Sequence, residues 1–130
     1  MNYAYTILYV ADVPASLRFF GEAFGLQTRF LHESQAYGEL ETGGTALAFA
    51  QLDIARANMG GDFVVAQDSP LPLGLEIGLS CADVPAAYAQ ALAAGAVGLK
   101  PPGTKPWGQV VAYVRCPDGC LVELCTPMGG

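Results

Sequence analysis

Short apolar runs alternate along the chain with segments whose apolar residues recur at helical spacing. The run "YTILYV" (residues 5–10) reads as a strand. In the segment after it, Leu17, Phe20 and Phe24 recur three and four residues apart, the stripe of an amphipathic helix. Much later "EIGLSC" (76–81) is again strand-like, and Tyr88, Ala91 and Leu92 follow at helical spacing. Between strand and helix stands nearly the same tetrapeptide, Asp12-Val13-Pro14-Ala15 and then Asp83-Val84-Pro85-Ala86, 71 residues later. Aspartate is a good acceptor at a helix N-cap, and proline is tolerated in the first turn, where its missing N–H costs nothing. Gly25 and Gly95 stand where each helix should stop.

The echo continues past the helices. "YGEL" (37–40) matches "WGQV" (107–110), the turns "TGG" and "CPDG" follow, and the closing strands are "TALAFAQ" and "CLVELCT". Each half therefore reads strand–helix–strand–strand–strand. The stretch between the halves carries Gly60-Gly61, Pro70 and Pro72 and reads as a connection. One domain spanning 1–130 is expected, with a first module over about 1–51, a connection over about 52–72 and a second module over about 73–128. Residues 100–108, "KPPGTKPWG", are expected to form an exposed, stiff loop.

Strand alternation separates two faces. In "LGLEIGLS", Leu75, Ile77 and Leu79 share one side, while Glu76, Gly78 and Ser80 share the other. In "TALAFAQ", Leu47 and Phe49 oppose Ala46, Ala48 and Ala50. The large apolar face should pack under a helix. The small face should line a roomy cleft with few polar anchors, of the kind that suits a small-molecule ligand.

Composition narrows the function classes. Apolar residues make up 52% and charged residues 14%, so the chain has ample apolar surface to fold, with enough besides for a subunit interface or an apolar cavity. The net charge of −6 comes without any basic stripe, which argues against nucleic acid as a partner. No apolar run approaches the roughly 18 residues of a membrane span, so a soluble cytoplasmic protein is expected. The four cysteines lack zinc-site spacing and read as reduced packing residues. No Ser-His-Asp arrangement, phosphate loop or dinucleotide fingerprint is present.

The stretches "TILYVADVPASLRFFGEAFGL" and "WGQVVAYVRCPDGCLVEL" resemble the vicinal oxygen chelate superfamily, which includes glyoxalase I, extradiol dioxygenases, and fosfomycin and bleomycin resistance proteins. The second is similar to the pattern W-G-x-x-x-x-x-x-D-P-D-G-x-x-x-E-L, with Cys116 in place of its first Asp. The resemblance implies an α+β fold in which two tandem βαβββ modules form a curled mixed sheet around a cleft. It also implies four positions that hold a divalent metal in metal-dependent members: Tyr5, Ala48, Glu76 and Glu123 in this chain. A phenol, an alanine and two carboxylates are a poor set for a catalytic zinc or iron, which generally wants three ligands with imidazole prominent. The sole histidine, His32, stands away from all four and reads as a surface or strand-edge residue.

The expectation is thus no cofactor and no metal, the alternative being a weakly held divalent ion such as Mg²⁺ on Glu76 and Glu123. Glu76 and Glu123 are the catalytic candidates, and Tyr5, Ala48, Glu76, Glu123, Tyr37 and Trp107 the candidate ligand-binding set. Two readings of function stand side by side. One is a metal-independent binding protein for an organic ligand, a cation among the options, similar to the bleomycin-resistance branch. The other is a lyase, isomerase or dioxygenase using the two glutamates as metal ligands or general acid and base. A homodimer with a small-molecule ligand is the expected assembly, with neither membrane nor nucleic acid as partner.

Overall fold

The computed structural model describes residues 1–128. Strand β1 (Tyr5–Val10) leads into helix α1 (Val13–Phe24), and β5 (Ile77–Ser80) leads into α3 (Val84–Ala94). The duplicated turn works in both places as its residue types require. Asp12 accepts from the Ala15 amide at 3.0 Å and Asp83 from the Ala86 amide at 3.1 Å. Each helix stops at its glycine, Gly25 at φ 70° and Gly95 at φ 120°.

Three strands follow each helix: β2 (Thr28–Leu31), β3 (Tyr37–Leu40) and β4 (Ala46–Gln51), then β6 (Val97–Thr104), β7 (Val110–Arg115) and β8 (Leu121–Cys125). The two sheets run β1-β4-β3-β2 and β5-β8-β7-β6, so the first strand of each module pairs parallel with its last. A parallel pair needs a crossover, and the helix supplies it. The architecture is α+β, a tandem pair of βαβββ modules, as expected.

The large apolar face of each sheet lies under its helix. Leu17 and Phe20 of α1 are buried, and the Phe20 ring packs edge-on against Phe49 of β4 with centroids 5.1 Å apart. Helices α1 and α3 also pack on one another, which joins both modules into one core that includes Val84, Val114 and Val122. Burying side chains of this size contributes about 1.5–3 kcal/mol each. The opposite faces of the sheets carry the candidate site residues, but on the first sheet Ala46, Ala48 and Ala50 are all buried, so the roomy cleft expected from these small residues does not open there.

Ladder register tests the internal matches. Ile7 lies opposite Ala48 and Ala48 opposite Glu39; in the second module Gly78 lies opposite Glu123 and Glu123 opposite Tyr113. Ala48 and Glu123 are therefore equivalent, as the repeat implied. The "YGEL"–"WGQV" match does not hold. Tyr37 pairs with Ala50 and Val111 with Cys125, so the counterpart of Tyr37 is Val111. Trp107 falls four residues earlier, in the turn between β6 and β7, because β6 has 8 residues where β2 has 4. For the same reason Lys100–Thr104, expected in a loop, belongs to β6, whose register shifts around Pro101 and Pro102.

The connection differs from expectation as well. It opens with helix α2 (Leu52–Met59), whose first turn is capped by Gln51 accepting from the Asp53 amide at 2.7 Å. Ala55 is its buried residue, and Gly60 ends it. A 3-10 turn, Ala66–Asp68, follows.

Candidate functional site

On the second sheet, Glu123 on β8 is the centre of a small polar cluster. Tyr113, its cross-strand neighbour on β7, donates its hydroxyl to Glu123 Oε1 at 2.9 Å. Glu76, one residue before β5, has its carboxyl near enough to Glu123 to be perturbed by it. Loss of water around Glu76, then the neighbouring Glu123, push its carboxyl above the usual range. The bond to Glu123 is the first cause raising the Tyr113 phenol to about 12. Two residues along β8 on the same face, the Cys125 thiol is pushed up by loss of water and then by Glu123.

The first module answers the same geometry with different chemistry. Tyr37 donates to Glu39 Oε2 at 2.8 Å, and the Arg29 guanidinium stands 3.8 Å from Glu39 Oε1. Arg29 also grips Glu41 with two bonds of 2.8 Å and donates to Gly43 O at 2.7 Å. Burial, then Glu39, lifts Tyr37 to about 12, and Tyr5 adds to the shift. Tyr5 is exposed at the start of β1.

Of the six sequence-derived candidates, Glu76 and Glu123 stand near one another in the second module, and Tyr5 and Tyr37 stand near one another in the first. Ala48 is wholly buried between its neighbours Ile7 and Glu39, so it offers a ligand no surface. Trp107 lies on no strand; it is 65% exposed and its indole N–H donates to Gln109 Oε1 at 2.8 Å. His32 sits in the turn after β2, bonded to Ser34 at 2.7 Å. The four cysteines are free thiols, with Cys116 and Cys120 buried side by side across the β7–β8 hairpin.

The donor set does not fit a catalytic divalent metal. Among the described residues no three His, Cys, Asp or Glu side chains converge. The two neighbouring carboxyls, Glu76 and Glu123, supply only two such donors, with Glu123 also accepting from Tyr113.

A cavity of about 360 Å³ opens beside Glu76, along the seam between β1 and the second module. Its wall includes Ile7 and Tyr9 of β1, Phe63 of the connection, Leu75 and Ile77, and Leu121 of β8. Tyr9 and Phe63 meet with ring centroids 4.8 Å apart, and the Arg56 guanidinium covers Phe63 at 5.2 Å. The connection that closes the cavity is pinned to the second sheet. Arg115 Nη2 donates to Ala66 O and Ser69 O, both at 2.8 Å. Gly119, at φ +90°, lies so close to Ala66 that a Cβ there would stand 2.4 Å from its backbone. Asp118 clasps the modules together, accepting from Ser16 of α1 at 2.8 Å and from the Cys120 amide at 3.1 Å.

The sequence reading missed this cavity. Tyr9 and Phe63 are 54 positions apart and no periodicity links them. The "CPDG" turn was the available signal, since a glycine after a turn aspartate marks both a positive φ and room for a close neighbour.

Comparison with known proteins agrees with the fold. Over 98% of this chain and 88% of the other, the structure is similar to a glyoxalase-related enzyme from Fulvimarina pelagi, with a TM-score of 0.84 at 24% identity. A glyoxalase/bleomycin resistance protein/dioxygenase family enzyme from Burkholderia phytofirmans PsJN is similar at TM-score 0.78 and 19% identity, over 97% and 98% of the two chains. A glyoxalase/bleomycin resistance protein from Albidiferax ferrireducens T118 is similar at 0.71 and 16%, over 96% and 98%. No curated protein sequence matches this chain. The family model of the Glyoxalase/Bleomycin resistance protein/Dioxygenase superfamily matches residues 2–124, and the chain belongs to that superfamily.

Proposed function

We propose that this protein binds a small organic cation without a metal, at the carboxyl pair of Glu76 and Glu123. The observation that carries the reading is the pair itself. Two carboxyls lie close enough together for Glu123 to push Glu76 up, and among the described residues neither has a cationic side chain within ion-pair distance. Two like charges close together raise the energy of the ionised state, and a bound cation relieves it. The small neighbours Gly78 and Ser80 leave room beside them. Cytoplasmic residence and a homodimer belong to the same proposal, the dimer because so much large apolar surface, Tyr3, Leu71 and Trp107 included, is exposed in one copy.

A second reading is supported by the same cluster. Glu76 with its raised carboxyl, beside a carboxylate held by Tyr113, is a general acid–base pair suited to a proton transfer of the isomerase or lyase kind.

Two measurements decide between these. Protein purified without chelator is expected to hold no stoichiometric metal, and a tightly held equivalent of Ni, Zn, Fe or Mn overturns the binding reading. Arylalkyl and alkyl amines that are protonated at neutral pH are expected to raise the melting temperature, since a hundredfold excess over Kd adds about 2.7 kcal/mol to the folded state. Glu123→Gln should abolish that rise.

A further inference from the structure

The seam cavity shares one residue, Glu76, with the carboxyl cluster, and that overlap specifies a ligand. The walls are apolar: Ile7, Tyr9, Phe63, Leu75, Ile77 and Leu121. Two charged groups touch it, Glu76 and Asp118. Asp118 is already engaged, with Oδ2 accepting from Ser16 and Oδ1 from the Cys120 amide. Glu76 at the rim is exposed and has Glu123 for a neighbour. No basic side chain lines the cavity; Arg115 is spent on Ala66 O and Ser69 O, and Arg56 on Asp53, Asp62 and the outer face of Phe63. The rim residues Val64 and Leu75 are 67% and 54% exposed, apolar surface left open to water beside a carboxylate.

We propose that this cavity is the apolar subsite of the ligand, and that it takes a primary or secondary amine bearing one aromatic ring or a short alkyl chain. The proposal rests on the cation-binding reading above and deepens it. The tail lies along the Tyr9–Phe63 wall, and the ammonium sits at Glu76, where its N–H donors meet carboxylate oxygens. A quaternary cation has no N–H to offer that carboxylate, and a neutral tail leaves it unpaired. The volume of about 360 Å³ lies at the small end of the range of roughly 300–1,000 Å³ for ligand pockets, which admits one ring or chain and excludes large fused systems.

The test is calorimetric titration of the full chain with 2-phenylethylamine, 2-phenylethanol and methylammonium. The amine is expected to bind at least about tenfold tighter than the alcohol, because a charge-assisted hydrogen bond separates them. Glu76→Gln should remove that difference. Val64→Trp, a change at an exposed rim position that the fold tolerates, should weaken 2-phenylethylamine about tenfold or more while leaving the melting temperature unchanged. If Val64→Trp leaves 2-phenylethylamine binding intact and Glu123→Gln abolishes it, the cavity assignment fails and the cation-binding reading stands. If methylammonium binds as tightly as 2-phenylethylamine, the tail makes no contact and the cavity assignment fails alone. Should none of the three bind, both fail. A dimer that dissociates in Val64→Trp, seen by sedimentation, would then assign the rim to a second copy of the chain.

Discussion

The two modules share one backbone plan and treat their acidic residues in opposite ways. In the first, Glu39 meets a phenol and an arginine: Tyr37 at 2.8 Å and Arg29 at 3.8 Å. In the second, Glu123 meets a phenol and has another acid for a neighbour, Tyr113 at 2.9 Å and Glu76, which it pushes up. Even the strand addresses are exchanged, since Tyr113 occupies the register of Glu39 while Glu123 occupies that of Ala48. Duplication of a fold thus conserves where side chains point without conserving how their charges are balanced. The first module is electrostatically closed on itself. The second is incomplete, and the proposed ligand would complete it.

The largest expected effect lies in the two hairpin turns. Gly43 and Gly119 both hold positive φ, +87° and +90°, but a Cβ at 43 meets nothing within 4 Å whereas one at 119 strikes Ala66. Gly43→Ala should cost about 1 kcal/mol, the left-handed penalty alone. Gly119→Ala adds an overpacking term of about 1–3 kcal/mol and should loosen the connection over the cavity. Urea unfolding of the two variants measures the difference, and equal losses would refute the close contact.

Next comes the pH dependence of stability. Because the folded-state carboxyl of Glu76 titrates above its ordinary value of 4.5, the folded chain holds more protons than the unfolded one between the two values. Stability from this group is complete below 4.5 and is lost as pH rises through the raised value. Glu76→Gln should flatten that decline and raise the melting temperature at pH 8. The matched change in the first module, Glu39→Gln, should lower it or leave it unchanged, because an ion pair of this kind contributes about 0–1 kcal/mol.

The smallest effect separates the two tyrosines. Both phenols are raised to about 12, Tyr113 chiefly by Glu123 and Tyr37 chiefly by burial. Ultraviolet titration should find Glu123→Gln moving one tyrosine well back towards 10, and Glu39→Gln moving one by less.

Much of this frame was legible in the chain. The Asp-Val-Pro-Ala turn announced both helices, and alternation in "LGLEIGLS" holds for Ile77 and Leu79, which pack on the core. It does not hold for Leu75, which stands before β5, is exposed and lines the same cavity as Glu76. The match between the closing strands "TALAF" and "LVEL" led to the equivalence of Ala48 and Glu123 that the ladders show. What escaped was whatever depends on distant segments meeting. The aromatic-glycine echo misled because a local dipeptide carries no register, and a longer β6 displaced Trp107 into a turn. Helix α2 was hidden because Gly60-Gly61 reads as a loop signal unless Gly60 is taken as a stop for the residues before it. The full burial of Ala48 could not be read from its alternation, which assigns a face but not what covers it.

The prolines of β6 bear on how the molecule behaves when crowded. β2 and β6 each form one edge of their sheets, opposite β1 and β5, and an outer strand invites another chain to hydrogen-bond along it. Pro101 and Pro102 give β6 two consecutive residues that cannot donate, set where its ladder already breaks step. β2 is protected differently, by being four residues long and bulged beside Arg29. Neither β2 nor β6 offers a straight run of free amides, so strand addition is resisted along these two edges.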